Sequence, residues 1–166
     1  QNLGVALAAR GEHAAAQLHH EESLRLEPDN PIALVNLGTA LLQQGRVEQA
    51  ANSYRAALRI APAYADAHYN LGLALHRGGD SAAAVEHFLA AVRHDPRHAK
   101  AQNNLGGLLY GLGRIDQAIE RYRISLSIAP DNAEAHNNLG VALAARGASF
   151  DCASIPASPV TVHALA

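Results

Sequence analysis

Five asparagines stand 34 residues apart in this chain of 166 residues: Asn2, Asn36, Asn70, Asn104 and Asn138. Each opens the same short word, Asn-Leu-Gly, as in "VNLGTALLQQG", "YNLGLALHRGG" and "HNNLGVALAARG". A carboxamide carries one acceptor and two donor hydrogens, the complement of a peptide group's N–H and C=O. A regular row of such groups could hold an extended chain by its backbone, with little regard for its side chains. The same amides could instead bond the neighbouring unit and set how the units stack. At this level both readings stand, and they are compatible.

The other candidate chemistries are weaker. Ten histidines invite a metal reading. His19 and His20 are adjacent and point to different sides of a helix, and Pro96 interrupts the helical spacing between His94 and His98. No His-Glu-x-x-His occurs, and one cysteine cannot form a thiolate cluster. No metal or cofactor is expected. His68 and His136 occupy equivalent places beside the asparagine column and are read as being within reach of a bound segment. No Ser/His/Asp constellation, paired-carboxylate motif or phosphate-binding glycine loop is present, so the chain is read as non-catalytic.

The asparagines need a scaffold with the same period, and further columns supply it. Gly4, Gly38, Gly72, Gly106 and Gly140 repeat at 34 residues, and a second glycine follows seven later at Gly11, Gly45, Gly79, Gly113 and Gly147. Ala16, Ala50, Ala84 and Ala118 form another column, His20, Tyr54, Phe88 and Tyr122 a ring column, and Pro28, Pro62, Pro96 and Pro130 the last. Each period reads as two helices. Asn30 can cap the first, Pro31 suits its first turn, and Gly45 stops it. The second ends before Pro62, because a residue preceding proline avoids helical geometry. The predicted helices are 12–26, 31–44, 47–60, 65–78, 81–94, 99–112, 115–128 and 133–146, with a partial one near 1–10.

The period and the Leu-Gly, Ala, aromatic and Pro columns resemble the tetratricopeptide repeat family over roughly residues 1–146. The resemblance implies an all-α solenoid of helical hairpins, a right-handed superhelix with a concave groove. A 34-residue hairpin cannot bury its apolar face alone, so its neighbours must complete it. The expected organisation is a partial first unit, three full units over 31–130, a final first helix at 133–146 and an irregular tail at 147–166. The small glycines are expected to let the two helices of a hairpin approach, with Tyr54, Phe88 and Tyr122 wedged between units. In the tail, Cys152 replaces the column alanine and Pro156 the column aromatic, which breaks the helix expected there.

In this architecture Ala33, Leu37, Ala40 and Leu41 form the packed face of the first full unit, while Ile32, Val35, Asn36, Thr39 and Gln43 turn to the groove. The expected groove residues are Asn36, Asn70, Asn104, Asn138 and Asn2, with Tyr69, Asn103, Asn137, Arg77 and Tyr110 beside them. Gly107 and Gly111 should leave accessible backbone next to Tyr110. The asparagine column is similar to that in the repeat region of protein O-linked N-acetylglucosamine transferases and related bacterial repeat proteins. That likeness implies a groove that receives protein substrates for a separate sugar-transfer domain, which this sequence does not contain. The residues before the rungs, Val35, Tyr69, Asn103 and Asn137, are not basic, so a two-carboxylate clamp for a chaperone C-terminus is not expected.

Composition agrees with a peptide-binding module. Thirteen basic and 15 acidic residues give a net charge of −2, which argues against nucleic acid as partner. Hydrophobic residues are 49% but aromatics only 4%, so the core must be built of many small contacts. No apolar run is long enough for a membrane span. With Gln1 first and no Met, the natural start is expected to lie upstream. The expected partner is a protein or peptide segment, with self-association through open array ends as a further possibility and the cytoplasm as the expected compartment.

Overall fold

The computed structural model describes residues 12–153 together with Gly4, Ala6, Leu7 and Arg10. Among the described residues are eight helices: α1 (His13–Leu26), α2 (Pro31–Gln43), α3 (Val47–Ile60), α4 (Ala65–Arg77), α5 (Ser81–His94), α6 (Ala99–Gly111), α7 (Ile115–Ile128) and α8 (Ala133–Ala153). No strand occurs among them. Each helix packs on the next, and α2–α3, α4–α5 and α6–α7 form the hairpins.

The turn between the helices of a hairpin is made by the second glycine column. Gly45, Gly79 and Gly113 have φ of 76°, 91° and 73°, a conformation only glycine adopts without strain. In each, the glycine N–H bonds the carbonyl three residues back, Leu42, His76 or Tyr110, and the following N–H reaches the carbonyl five back, Leu41, Leu75 or Leu109. This pair of bonds closes the helix C-terminus as a Schellman turn. Helix starts are capped where a suitable side chain stands. Asn30, Asp80, His98 and Asn132 each accept the backbone N–H three residues on, at 3.0, 3.0, 3.1 and 3.1 Å.

The first glycine column serves the rings. A Cβ on Gly38 would lie 2.6 Å from Tyr54 Cε1; on Gly72, 2.8 Å from Phe88 Cε1; on Gly106, 2.7 Å from Tyr122 Cε1; on Gly4, 2.7 Å from His20 Cε1. The close approach is therefore ring on backbone within one hairpin, rather than helix against helix. The rings also reach the next unit: Tyr54 clusters with Ala67, Leu71 and Ala74, and Phe88 with Leu105 and Leu109. Tyr54 is fully buried, its hydroxyl lies 3.3 Å from Thr39 Oγ1, and burial pushes its pKa up to about 12.

Two expectations need correction. Val35, placed in the groove, is buried, as is Leu42. The packed face of α2 is thus wider than four residues, because it meets both α3 and α4. The last helix does not stop at Gly147 but runs on to Ala153. Gly147 is not at positive φ, so no Schellman turn redirects the chain there. The remainder of the tail and Asn2 lie outside the described residues.

Adjacent glycines in α6 test this account of the column. A Cβ on Gly106 meets a buried ring, whereas on Gly107 the nearest atom is Tyr122 Oη at 3.9 Å. Overpacking costs about 1–3 kcal/mol, and Gly→Ala in a helix gains up to about 1 kcal/mol. Gly107→Ala is expected to be more stable than Gly106→Ala by about 1–3 kcal/mol in urea melts, although the two substitutions are one residue apart.

A candidate peptide groove on the first helices

The residue before each rung decides what the rung bonds. Asn104 donates Nδ2–H to the Tyr69 hydroxyl at 3.3 Å, and Asn138 donates to Asn103 Oδ1 at 3.2 Å. In both cases the partner lies 35 residues back, immediately before the preceding rung. For Asn70 that place is taken by Val35, which offers no acceptor, and Asn70 turns back to its own helix at Asp66 O, 2.8 Å away. Asn36 has no hydrogen bond among the described residues.

At the α6–α8 junction the bonds form a directed chain. Asn103, only 3% exposed, donates Nδ2–H to Glu134 Oε1 at 3.1 Å. A carboxylate only accepts, so Asn103 must turn Oδ1 towards Asn138, and Asn138 must offer its NH2. The Oδ1 atoms of Asn104 and Asn138 keep no partner among the described residues. At these two rungs the amide therefore divides its two functions: the donor holds the stack and the acceptor remains free among the described residues.

These residues line a cleft of about 500 Å³ on successive first helices. Leu73 and His76 come from α4, Asn103, Asn104, Gly107, Leu108 and Gly111 from α6, and Glu134 and Asn138 from α8, with Ser81, Phe88 and Leu112 completing the wall. The cleft lies where the array is loosest. First helices α2 and α4 pack directly, as do α6 and α8, while the backbones of α4 and α6 approach less closely. Tyr69 explains the gap. It occupies the pre-rung position held by the smaller Val35 and Asn103, and its ring packs on Phe88 and His98 at centroid distances of 5.9 and 4.7 Å. The ring acts as a spacer between α4 and α6.

The structure thus brings together Asn103, Asn104 and Asn138, with Tyr69 behind them and Gly107 and Gly111 in the wall. Asn36 and Asn70 lie elsewhere on the array, outside this cleft. Asn137 is exposed and not part of its wall. Arg77 Nη1 reaches back to Leu42 O at 3.5 Å. Tyr110 packs on the core cluster around Tyr122 instead of facing the cleft. Asn103 is buried, so it supports the cleft more than it presents itself to a ligand. Sequence reasoning placed Leu73, His76 and Glu134 on the groove face by helical angle but did not reach Ser81 and Leu112. Leu112, 60% exposed, had a legible signal: it is apolar at a pre-turn column otherwise filled by Gln44, Gly78 and Arg146.

The histidines beside the column are structural. His68 Nε2 lies 3.0 Å from Pro62 O and His136 Nε2 2.8 Å from Pro130 O, each satisfying the carbonyl of the column proline. Gln102 does the same for Pro96 at 3.4 Å. The carbonyl requires hydrogen on His68 Nε2, so His68 Nδ1 accepts from His87 Nδ1–H at 3.0 Å. Burial lowers the pKa of both, that of His87 also by the neighbouring His68 and that of His68 also by His94. Among the described residues no cluster of three or more His, Cys, Asp or Glu has metal-binding geometry, and no helix is long and apolar enough to cross a membrane.

Three tetratricopeptide repeat models match the chain, over 38–79 and 108–147, over 69–123, and over 7–52. Their matches join without a gap from residue 7 to residue 147. The chain belongs to the tetratricopeptide repeat family. No curated protein matches it in sequence. Among solved structures it is similar to MamA, at 25% identity and TM-score 0.75 over 92% of this chain and 83% of that one. YrrB, solved as a TPR protein with an unusual peptide-binding site, is 23% identical with TM-score 0.68, over 88% of this chain and 75% of YrrB. The first TPR of Spaghetti (RPAP3), solved with an HSP90 peptide, is 24% identical with TM-score 0.68, over 70% of this chain and 93% of that one.

Two predictions follow from the geometry of the rungs and the histidines. Asn103→Ala removes a buried link between two bonds and is expected to cost about 1–3 kcal/mol in a denaturant melt, while Asn36→Ala should change stability by less than about 0.5 kcal/mol. His68 and His87 have folded pKa values below their unfolded ones. Their contribution is complete above the ordinary histidine pKa of about 6.5 and is lost as pH falls through the folded values. Thermal stability should therefore decline on acidification from neutral pH, and His87→Gln should flatten that decline.

Proposed function

We propose that this chain is a protein-interaction module that binds an extended peptide segment along its first helices, anchored at the cleft between α4, α6 and α8. The observation that carries this reading is the division of labour in the rung amides. Stacking uses the donors of Asn104 and Asn138, and their free acceptors border an open cleft whose wall contains the bare backbone of Gly107 and Gly111. An extended chain rises about 3.3 Å per residue, and rungs on neighbouring units stand at least a helix-packing distance of about 10 Å apart. Successive rungs would then meet roughly every third residue of the ligand. Between rungs, Leu73, Leu108 and Leu112 offer an apolar seat for a side chain.

Peptide-bound and peptide-binding proteins of the same fold support this class of function. The chemistry of the seat is its own. Glu134 is the one carboxylate in the cleft wall and no Lys or Arg lines it, so an acidic ligand of the kind held by a basic clamp is disfavoured. The better match is a neutral or mildly basic segment with an apolar side chain. A second reading makes the array the substrate-recruiting part of a larger sugar-transferring enzyme. It draws on the asparagine column alone, and a sugar-nucleotide-binding domain in the same polypeptide would decide for it.

Gly107 gives the cleanest test, because Asn104 also serves the stack. Gly107→Leu fills the cleft from an exposed position and should leave folding intact. Linear peptides selected from a phage-displayed library should bind the unmodified chain with little salt dependence and lose affinity about tenfold or more with Gly107→Leu. Selection of no peptide, or peptides indifferent to both Gly107→Leu and Asn104→Ala, refutes the proposal.

A further inference from the structure

Among the described residues, one helix face in the array has a receptor's surface without the element that covers it elsewhere. Gly38, Gly72 and Gly106 are buried under the rings of their own second helices. Gly140, the same column in α8, is exposed, and among the described residues nothing lies within 4 Å of a Cβ placed on it. One unit earlier on this face, Gln102 is 4% exposed, while its counterpart His136 is exposed. Helix α8 is nevertheless firmly seated, with Ala135 and Ala142 fully buried and its other side packed on α7. It continues as one helix through Gly147 to Ala153.

The sequence identifies what fits there. Residues 138–147, "NLGVALAARG", are identical to residues 2–11. In this chain two described residues of the first copy meet α1 and its cap: the imidazole of His20, 1% exposed, lies over Gly4, and Glu12 pairs with Arg10 at 3.1 Å. Arg146 is the counterpart of Arg10, and its Nη1 lies 3.8 Å from Asp116 Oδ1 on α7.

We infer that α8 binds helix α1 of a second copy of this chain, so that copies join head to tail in a continuous solenoid. His20 of the incoming copy sits over Gly140, and its Glu12 faces Arg146 instead of Arg10. The exchange replaces one decapeptide by an identical one, the condition under which swapping an element between protomers costs little. The new partner is already ordered against α7, so less conformational freedom is lost on docking. The contact is heterologous, using different surfaces on the two copies, and it propagates.

The test is sedimentation of the full chain over a range of concentrations. The unmodified chain should show average masses that rise past the monomer without stopping at a dimer. Gly140→Leu has room for its side chain in the monomer but occupies the place of His20. It should keep its helicity and melting temperature and lose association about ten- to a hundredfold. Because its α1 is intact, excess Gly140→Leu added to the unmodified chain should end growth and leave short assemblies, an effect a symmetric dimer interface does not give. A chain that stays monomeric overturns the inference, including the case where amide exchange shows 136–147 covered by its own tail. Undiminished assembly of Gly140→Leu overturns it equally.

Discussion

In each hairpin an aromatic ring lies directly on the backbone of the facing helix, and the architecture depends on that contact. Less than 3 Å would separate a Cβ from the ring at Gly38, Gly72 and Gly106, so only glycine allows the approach. The composition makes the ring necessary. With aromatics at 4% of the chain, three buried rings supply much of the large apolar surface, and their fellow core residues are mainly alanine. A ring that touches its own hairpin's glycine and the next hairpin's leucines links the two levels of packing. Neither the hairpin nor the stack is complete without the other, which is why stability in such arrays accumulates between neighbours.

On the first helices the units are further joined by polar bonds, and here the repeat is not uniform. The rung asparagine is constant, but its partner is set by the residue before the preceding rung, which is Val35, Tyr69 or Asn103. Val35 leaves Asn70 to its own helix, Tyr69 takes Asn104 while holding α4 and α6 apart, and Asn103 joins Asn138 to Glu134. One variable column thus produces a tight junction, an open junction and a bonded junction from otherwise equivalent hairpins. The cleft follows from a bulky side chain in a column where the rest are smaller, without any departure of the backbone from its repeat.

The fold was legible because the columns encode it redundantly. Pro31 and Asn30 mark a start, Gly45 a turn and Pro62 a stop, and the predicted helix limits fall within about two residues of those observed except at the last helix. That exception has a physical reason: glycine permits a turn but does not force one, and among the described residues no second helix folds back on α8 to require it. The site was legible only in part. Periodicity placed Asn104 and Asn138 on the face that carries the cleft, but it made five rungs equivalent. Which of them meet at a cleft depends on side-chain volume at Tyr69 and on bonds spanning 35 residues, and neither is periodic. Arg77 and Tyr110 illustrate the same limit. Both were assigned by helical angle, yet one bonds a carbonyl of the preceding unit and the other settles on the core.

At Asn104 and Asn138 the stack uses the amide donors, which leaves the acceptors for the proposed ligand. An asparagine that only set the stacking would need to donate, and any donor of the right length would serve. In the function proposed above one group does both, because fixing the amide's NH2 on the neighbouring unit also fixes where its oxygen points. A free side chain would lose rotamer entropy on binding a ligand; one already held by Tyr69 or Asn103 has lost it on folding. Preorganisation of this kind raises affinity without adding contacts. It operates at two rungs, Asn104 and Asn138, and these are the rungs that border the cleft.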